Sequence, residues 1–337
     1  MKKEGLNIAV AGATGAVGRK IIEILESRDF PLKQLRLLAS HRSEGTELLF
    51  KDQMIKVEML SENSFNGTDI AFFSAGSKRS LQFANAAVKS GAVVIDNSSA
   101  FRNRDDVPLV IPEINPDKIF SHRGIISNPN CTTAIMLTVI HSFHRAARIK
   151  KILVSTYQSV SGAGLKGIEE LQSQISGGSE SAKPSCFPHK IAFNVIPHIE
   201  QFNSDGYTAE ELKMQNETRK ILEDSEIGVS ATCVRVPVIS AHSMSVTVVT
   251  EDPIEVLQAR RMIRSSAGVR LLDDCMNNLY PMPLNSEGKD ECFAGRIRKD
   301  SALPNALTMW ICGDQLLKGA ALNAVQIAEL LIKDRLW

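Results

Sequence analysis

Cys131 is the residue of this chain best placed for covalent chemistry. It stands in Asn128-Pro129-Asn130-Cys131-Thr132-Thr133. The apolar run 124–127 before it reads as a strand, and the run 134–143 after it reads as a helix. The thiol therefore falls at or near a helix N-terminus, where the dipole and unpaired N–H groups favour thiolate. The same N–H groups could hold a developing oxyanion. The other five cysteines lack this setting. Cys186 lies in a Pro/Ser-rich loop, Cys233 and Cys312 in runs that read as buried strands, and Cys275 and Cys292 in mixed segments. No two form a C-x-x-C pair, so a zinc ribbon or redox dithiol is disfavoured and no metal is expected. Six unclustered thiols read as reduced, cytoplasmic cysteines.

A second chemistry is written near the N-terminus. An apolar run, 6–11, is followed by Gly12-Ala13-Thr14-Gly15-Ala16-Val17-Gly18 and then by helical spacing at Val17, Ile21, Ile22 and Leu25. Strand, glycine-rich turn and helix is the context a dinucleotide loop requires. Glycine admits a pyrophosphate close to the backbone, and the helix end supplies donors and positive dipole. Gly12, Thr14, Gly15, Ala16 and Val17 are the candidate cofactor contacts here. After the next strand, 35–39, comes Ser40-His41-Arg42-Ser43-Glu44. An acid there would select NAD by holding the ribose 2′-hydroxyl. Ser40, Arg42 and Ser43 suit a 2′-phosphate instead, so NADP is the expected cofactor. Glu44 is the contrary feature, and a solvated polar turn is the plain alternative.

Further alternation supplies the framework that must hold these groups. Runs 69–73 and 92–95 read as strands and 80–89 as a helix, with Asp96-Asn97-Ser98-Ser99-Ala100-Phe101-Arg102 beyond the second strand. Such alternation argues a doubly wound α/β sheet of Rossmann type. Ligands gather beyond the carboxyl ends of its strands, which is where Arg102 falls. Later, 229–236, 245–249 and 307–312 read as apolar strands, and 315–331 as a helix rich in small residues. Glu217 and Lys220 share a helix face at i,i+3; an ordinary surface ion pair is the alternative. His242 follows the strand that holds Arg235, and a turn could bring both to one strand end. Residues 176–190 read as a mobile loop.

Composition bounds the rest. A chain of 337 residues suggests about two domains. Hydrophobic residues make up 43% and charged residues 23%, which excludes a disordered or fibrous chain. Net charge is +1, so the basic excess of an electrostatic nucleic-acid binder is missing. Met1-Lys2-Lys3 and the apolar run after it loosely mimic a signal peptide, but that run is short and broken by glycine. No run is apolar and long enough for a membrane span. No internal repeat or low-complexity tract is evident.

The chain also resembles the aspartate-semialdehyde dehydrogenase family. The matching stretches are G-A-T-G-A-V-G from Gly12, N-S-S-A-F-R from Asn97, P-N-C-T-T from Pro129 and S-T-Y-Q-S-V-S-G-A-G from Ser155. N-E-T-R-K-I from Asn216, C-V-R-V-P-V from Cys233 and G-D-Q-L-L-K-G-A-A-L-N from Gly313 continue the match in order across nearly the whole chain. The resemblance implies a Cys131 nucleophile, a proton-handling His242, and a Gln158 that positions substrate and cysteine. It implies that Arg235 clamps the substrate carboxylate, that Glu217 meets its amino group, and that Arg102 and Lys220 hold phosphate. Ser161, Gly162 and Gln315 would lie near the nicotinamide. The implied domains are 1–127 with 317–337 for NADP, and 128–316 as an α+β catalytic and dimerisation domain. A homodimer or homotetramer follows from the same likeness. The implied reaction is reversible, phosphate-dependent oxidation of L-aspartate 4-semialdehyde to 4-phospho-L-aspartate through a cysteine thioester. It would run reductively toward lysine and diaminopimelate, threonine and methionine. His242-Ser243-Met244-Ser245 departs from the family in its methionine, and the segment after Gln174 is short.

Two rivals deserve weighing. N-acetyl-gamma-glutamyl-phosphate reductase shares the fold and thioester logic, but a glutamate at 217 suits a free amine better than an acylated one. A non-catalytic NADP-binding sensor has no need of Cys131, Gln158, Arg235 and His242 together.

Overall fold

The computed structural model describes residues 5–177 and 184–333. The chain divides into two compact units, 1–130 with 320–337, and 131–319. The sequence had suggested breaks three residues earlier, at 127/128 and 316/317. Residues 178–183 of the expected mobile loop lie outside the described residues, as does Met1-Lys2-Lys3. Residues 184–190 carry neither helix nor strand.

In the first unit β1 (Leu6–Ala11) leads through the glycine turn into α1 (Ala16–Ser27) and β2 (Leu32–Ala39). A hairpin of β3 (Glu47–Phe50) and β4 (Gln53–Met59) follows, which the sequence reading missed. Its turn residues Lys51 and Asp52 have φ of 45° and 60°. Two successive positive φ values make a type I′ turn, here without the Asn-Gly signal that would have announced it. Next come β5 (Ile70–Phe73), α2 (Ser77–Lys89), β6 (Val93–Asp96) and β7 (Ile125–Ser127). The sheet order is β3-β4-β2-β1-β5-β6-β7, parallel except for the hairpin. Strands β5 and β6 are buried at every residue and β1 at all but one. That is the pattern of a parallel sheet covered on both faces. The order reverses at β1, and the glycine turn lies at that strand's carboxyl end, the place where such sheets bind ligands.

The second unit opens on α3 (Cys131–Ala147), runs along β8 (Ile149–Gln158), and continues through α4 (Leu165–Ser176) and α5 (Ala209–Leu222). Then follow β9 (Gly228–Arg235), β10 (His242–Thr250), α6 (Val256–Ser265), β11 (Val269–Leu271), the single turn α7 (Pro283–Ser286), β12 (Cys292–Lys299) and β13 (Ala306–Gly313). The order is β11-β12-β13-β10-β8-β9, with β8–β9 and β11–β12 parallel and the other pairs antiparallel. Burial alternates along β8 and β9, so one face is covered and the other open. Helix α3 lies on the covered face against β8, β10, β12 and β13. It is buried almost all round, as a central helix must be.

The last helix begins later than its small-residue pattern implied. Gln315 precedes it, a π-helical turn spans Leu317–Ala321, and α8 (Leu322–Lys333) returns to the first unit. The Asp314 carboxylate accepts from the backbone N–H groups of Leu316 and Leu317 and so caps this start. The end of β13 thus passes into helix through a side-chain-held turn.

Candidate active site

The glycine turn of the first unit separates into structural and open positions. Gly12 has φ +91° and lies against the Ser74 backbone, and a Cβ on Gly18 would come 2.1 Å from the Gly12 carbonyl oxygen. Both must be glycine for the turn to close. Gly15 is exposed, and a Cβ there would meet nothing nearer than 3.4 Å. Its freedom serves approach from outside. Gly15 is also the N-cap of α1 and makes no side-chain cap, and no acid occupies the first turn. Ala16 and Val17 open that helix with their N–H groups unserved by any capping side chain, which suits an anion. Thr14 Oγ1 donates to Ser43 Oγ at 3.3 Å, tying the turn to the 41–43 segment. Ser40 and Arg42 are exposed beside it, and so is Glu44.

Arg102 is held by its own loop. Asp96 is fully buried and accepts from the hydroxyls of Ser80 at 2.6 Å and Ser98 at 2.7 Å. Burial pushes its carboxyl up, and these hydroxyls oppose the rise. The loop so anchored carries Arg102, whose Nε and Nη2 donate to the carbonyls of Asn128 and Asn97 at 2.8 and 2.7 Å. The guanidinium, only 7% exposed, therefore braces the segments that follow β6 and β7.

In the second unit, four strand ends converge. Gln158 ends β8 and pairs in register with Arg235, the last residue of β9. His242 opens β10 opposite Gly313, the last residue of β13. One sheet end thus carries Gln158, Arg235, His242 and the start of the 314–316 turn. The turn 159–162 folds over it. Ser159 N–H donates to His242 Nδ1 at 3.1 Å, and the Ser159 hydroxyl stands 3.0 Å from the same nitrogen. Arg235 Nη1 donates to the Ser159 carbonyl at 2.6 Å. A Cβ on Gly162 would fall 2.9 Å from Arg235 Nη1 and 3.3 Å from His242 Nε2, so glycine keeps that space open. Ser161 Oγ accepts from Gln315 Nε2 at 2.6 Å, and Gln315 Oε1 accepts from Ala241 N–H at 2.8 Å. Gln315 is thus held by both ends of its amide beneath the turn.

Because Nδ1 accepts a backbone N–H, the neutral His242 ring carries its proton on Nε2. That nitrogen is buried and has no hydrogen-bond partner among the described residues. The resemblance implies that this ring handles a proton. Burial first, and then the neighbouring Arg235, push its pKa down to about 3. In the free protein the ring is therefore neutral, with its Nε2–H available to the site. Arg235 is itself depressed by burial, partly offset by Glu210 and by Cys131. Cys131 is the first residue of α3 and half-buried, and it lies close enough for its charge to act on that guanidinium.

Glu210 was missed from sequence. It is 4% exposed and accepts from Gln158 Nε2 at 3.1 Å. Gln158 Oε1 in turn accepts from Thr156 Oγ1 at 2.9 Å. The signal was present: Thr208-Ala209-Glu210-Glu211 is a capping box, completed by Glu211, which leaves Glu210 without a capping duty. Helix α5 buries Glu210, Met214, Glu217 and Ile221 at three- and four-residue spacing. Two carboxylates in a buried stripe are uncommon for a surface helix. Lys220 follows Glu217 by one turn and is half-buried. Ser159 was the other omission; its backbone role leaves no trace in residue type.

Among the described residues no cluster of His, Cys, Asp or Glu could hold a metal, and no helix is long and apolar enough to cross a membrane. Family models match both units: the NAD binding domain of semialdehyde dehydrogenase over residues 7–122, and its dimerisation domain over 141–318. A relative from Aquifex aeolicus named aspartate-semialdehyde dehydrogenase is 52% identical over 98% of this chain and 99% of its own. The chain belongs to the aspartate-semialdehyde dehydrogenase family. Its fold agrees with that family's solved structures. A crystal structure of aspartate semialdehyde dehydrogenase II from Vibrio cholerae, complexed with ASA, superposes with TM-score 0.95 at 43% identity, covering 98% of this chain and 99% of that one. The family member from Candida albicans, solved with NADP, gives TM-score 0.75 at 26% identity over 97% and 98% of the two chains.

Proposed function

We propose that the protein is an NADP-dependent, phosphorylating aspartate-semialdehyde dehydrogenase acting through a cysteine thioester. The observation that carries this reading is the convergence of Gln158, Arg235 and His242 on one sheet end, in the unit whose first helix opens on Cys131. A carboxylate-bearing substrate fits a buried arginine whose planar fork can pair it bidentately. Glu217 is the acid for a free α-amino group. Arg102 and Lys220 are the cations assigned to phosphate. Gly12, Thr14, Gly15, Ala16, Val17, Ser40, Arg42 and Ser43 form the cofactor set, with Ser161, Gly162 and Gln315 assigned to the nicotinamide side. The uncapped α1 end and the open Gly15 fit a pyrophosphate, and the exposed Arg42 fits a 2′-phosphate.

Bound NADP supplies the hydride acceptor, and NADPH the donor. In the oxidative direction the Cys131 thiolate adds to the aldehyde carbon, and the carbonyl oxygen becomes an alkoxide. The His242 Nε2–H donates to that oxygen. As hydride leaves carbon, the carbonyl reforms as a thioester on Cys131. Phosphate then attacks the acyl carbon, and Cys131 leaves again as thiolate with 4-phospho-L-aspartate released. Splitting oxidation from phosphorolysis replaces one hard step by two easier ones. A neutral imidazole suffices to hold each alkoxide through its Nε2–H, and the one proton released overall, that of the attacking hydrogen phosphate, passes to solvent. In the reductive direction the acyl phosphate acylates Cys131 first, which is the biosynthetic sense in the aspartate family of amino acids. The dimerisation domain supports a homodimer or a homotetramer. Cytoplasmic localisation accords with six free cysteines among the described residues.

The test is an initial-rate comparison of aspartate semialdehyde with N-acetylglutamate semialdehyde, each with and without phosphate. NADP reduction with the first substrate, dependent on phosphate, is expected. Preference for the acetylated substrate, or turnover with neither, would overturn the reading.

A further inference from the structure

A segment outside the strand ends also reaches Arg235. Residues 184–192 carry no helix or strand, yet α4 holds their backbone firmly. The Glu170 carboxylate accepts from Ser185 N–H at 2.9 Å, from Ser185 Oγ at 3.0 Å, and from Cys186 N–H. One turn later, Gln174 Oε1 accepts from the N–H groups of Ile191 and Ala192, both at 2.9 Å. Gln174 Nε2 donates to Glu170 Oε1 at 3.0 Å, so the two side chains act as one clasp. Both are nearly fully buried. Burial alone would raise the Glu170 carboxyl, but its N–H and hydroxyl donors prevail and hold it below the usual carboxylate range. A buried acid that spends its acceptors on a loop backbone is an expensive arrangement, and this one fixes where the loop lies.

What the clasp delivers is Phe187. Its side chain closes a small core with Val160, Leu171, Ile191, Ala192 and Ile196. Its ring also faces the Arg235 guanidinium, with the carbon of that group 5.7 Å from the ring centroid. Gly167 makes this possible. A Cβ there would fall 2.4 Å from the Val160 carbonyl and 3.1 Å from the Phe187 ring, so only glycine lets α4 approach the turn so closely. The guanidinium is thereby bounded by the Ser159 carbonyl, Gly162 and an aromatic face. A planar cation lies well against such a face, and the face offers no acceptor that would compete with a ligand.

We propose that Phe187, held by the Glu170–Gln174 clasp, is the positioning residue that orients Arg235 for a substrate carboxylate. This rests on the reading of Arg235 as the carboxylate clamp. Losing the ring face costs substrate affinity and leaves the chemical step alone.

The experiment uses the full-length enzyme with saturating NADP and phosphate. Phe187→Leu is expected to raise KM for aspartate semialdehyde about tenfold, within the range of a desolvated cation–π contact. Its kcat stays within about twofold, and Phe187→Tyr restores KM because the ring face remains. Glu170→Gln, which keeps the side-chain shape, raises KM in the same direction and guards against a folding failure at 187. Ile191→Val trims the same core away from the guanidinium and leaves KM unchanged. The proposal is overturned if Phe187→Leu leaves KM unchanged while Arg235→Lys raises it. It is equally overturned if Ile191→Val raises KM as much as Phe187→Leu, since that is core loosening. An unchanged KM in Arg235→Lys would instead remove the underlying clamp reading.

Discussion

The contact between Gly319 and Cys131 permits a prediction worked from distances. Gly319 lies in the π-helical turn after β13. A Cβ at that position would stand 2.9 Å from Cys131 Cβ and 3.3 Å from its Cα. Non-bonded carbons settle at about 3.5–4.0 Å, so Gly319→Ala overlaps the thiol-bearing carbon by roughly 0.6–1.1 Å. Neither neighbour is the loose end of a long side chain. Cys131 opens α3, and residues 132–141 behind it are all buried. Cys131 cannot retreat into its helix. The overlap is relieved by moving Cys131, the turn, or both. Overpacking of this kind costs about 1–3 kcal/mol of stability. A displacement of about 1 Å at a reacting atom costs about 100-fold in rate. Gly319→Ala should therefore keep a cooperative melt and bind NADP, yet lose about 30- to 100-fold in kcat for the phosphate-dependent reaction. The assay is NADPH absorbance under saturating substrates, with a melting curve and a fluorescence titration of NADP on the same preparation. Turnover within about twofold of the parent, in a protein that melts normally, would refute the steric argument.

Other consequences are simpler to state. Arg42→Ala should weaken NADP by about tenfold, as expected for losing one charge-assisted phosphate contact, and leave NAD unchanged; equal loss for both in cofactor titrations would remove Arg42 from the 2′-phosphate. Arg235→Lys should depress kcat/KM by more than tenfold while the melting temperature moves little, because an ammonium loses both the fork and, in that buried place, much of its charge; steady-state kinetics beside a melting curve decide it. His242 enters the fold neutral, with its pKa lowered from 6.5 to about 3. The unfolded chain takes up that proton first, so the ring contributes stability above pH 6.5 that drains away as pH falls toward 3. Urea titrations of the parent and His242→Gln should therefore converge on acidification through this window, and parallel curves would deny that the ring is buried neutral.

Residue type and period carried much of this molecule. Strand β1, the glycine turn and α1 were legible because local pattern alone decides them: a short apolar run, glycines at a sharp turn, then a 3.6-residue stripe. Cys131 at the start of α3 was legible for the same reason, and so was the strand that holds Arg235, whereas β10 begins at His242, three residues before the apolar run 245–249 that announced it. The β3–β4 hairpin was not, because its type I′ turn is made by Lys51 and Asp52 at positive φ rather than by Asn-Gly. Strand β12 was not either, since its register slips between Gly295 and Arg298 and charges stand at its exposed positions.

The site divides along the same line. Sequence by itself determined which side chains could do chemistry, since nucleophile, fork and carboxylate are properties of residue type. Tertiary structure alone decided their states. The proton on His242 Nε2 follows from a backbone N–H of Ser159, which any residue type but proline could supply. The lowered pKa of that ring follows from burial beside Arg235, and burial is a sum over distant segments. Glu210 was drawn into the site by the face α5 turns inward, and Phe187 by a clasp whose partners lie some seventeen residues apart. Such facts depend on the field and the space around a group, and these exist only once the chain has closed on itself.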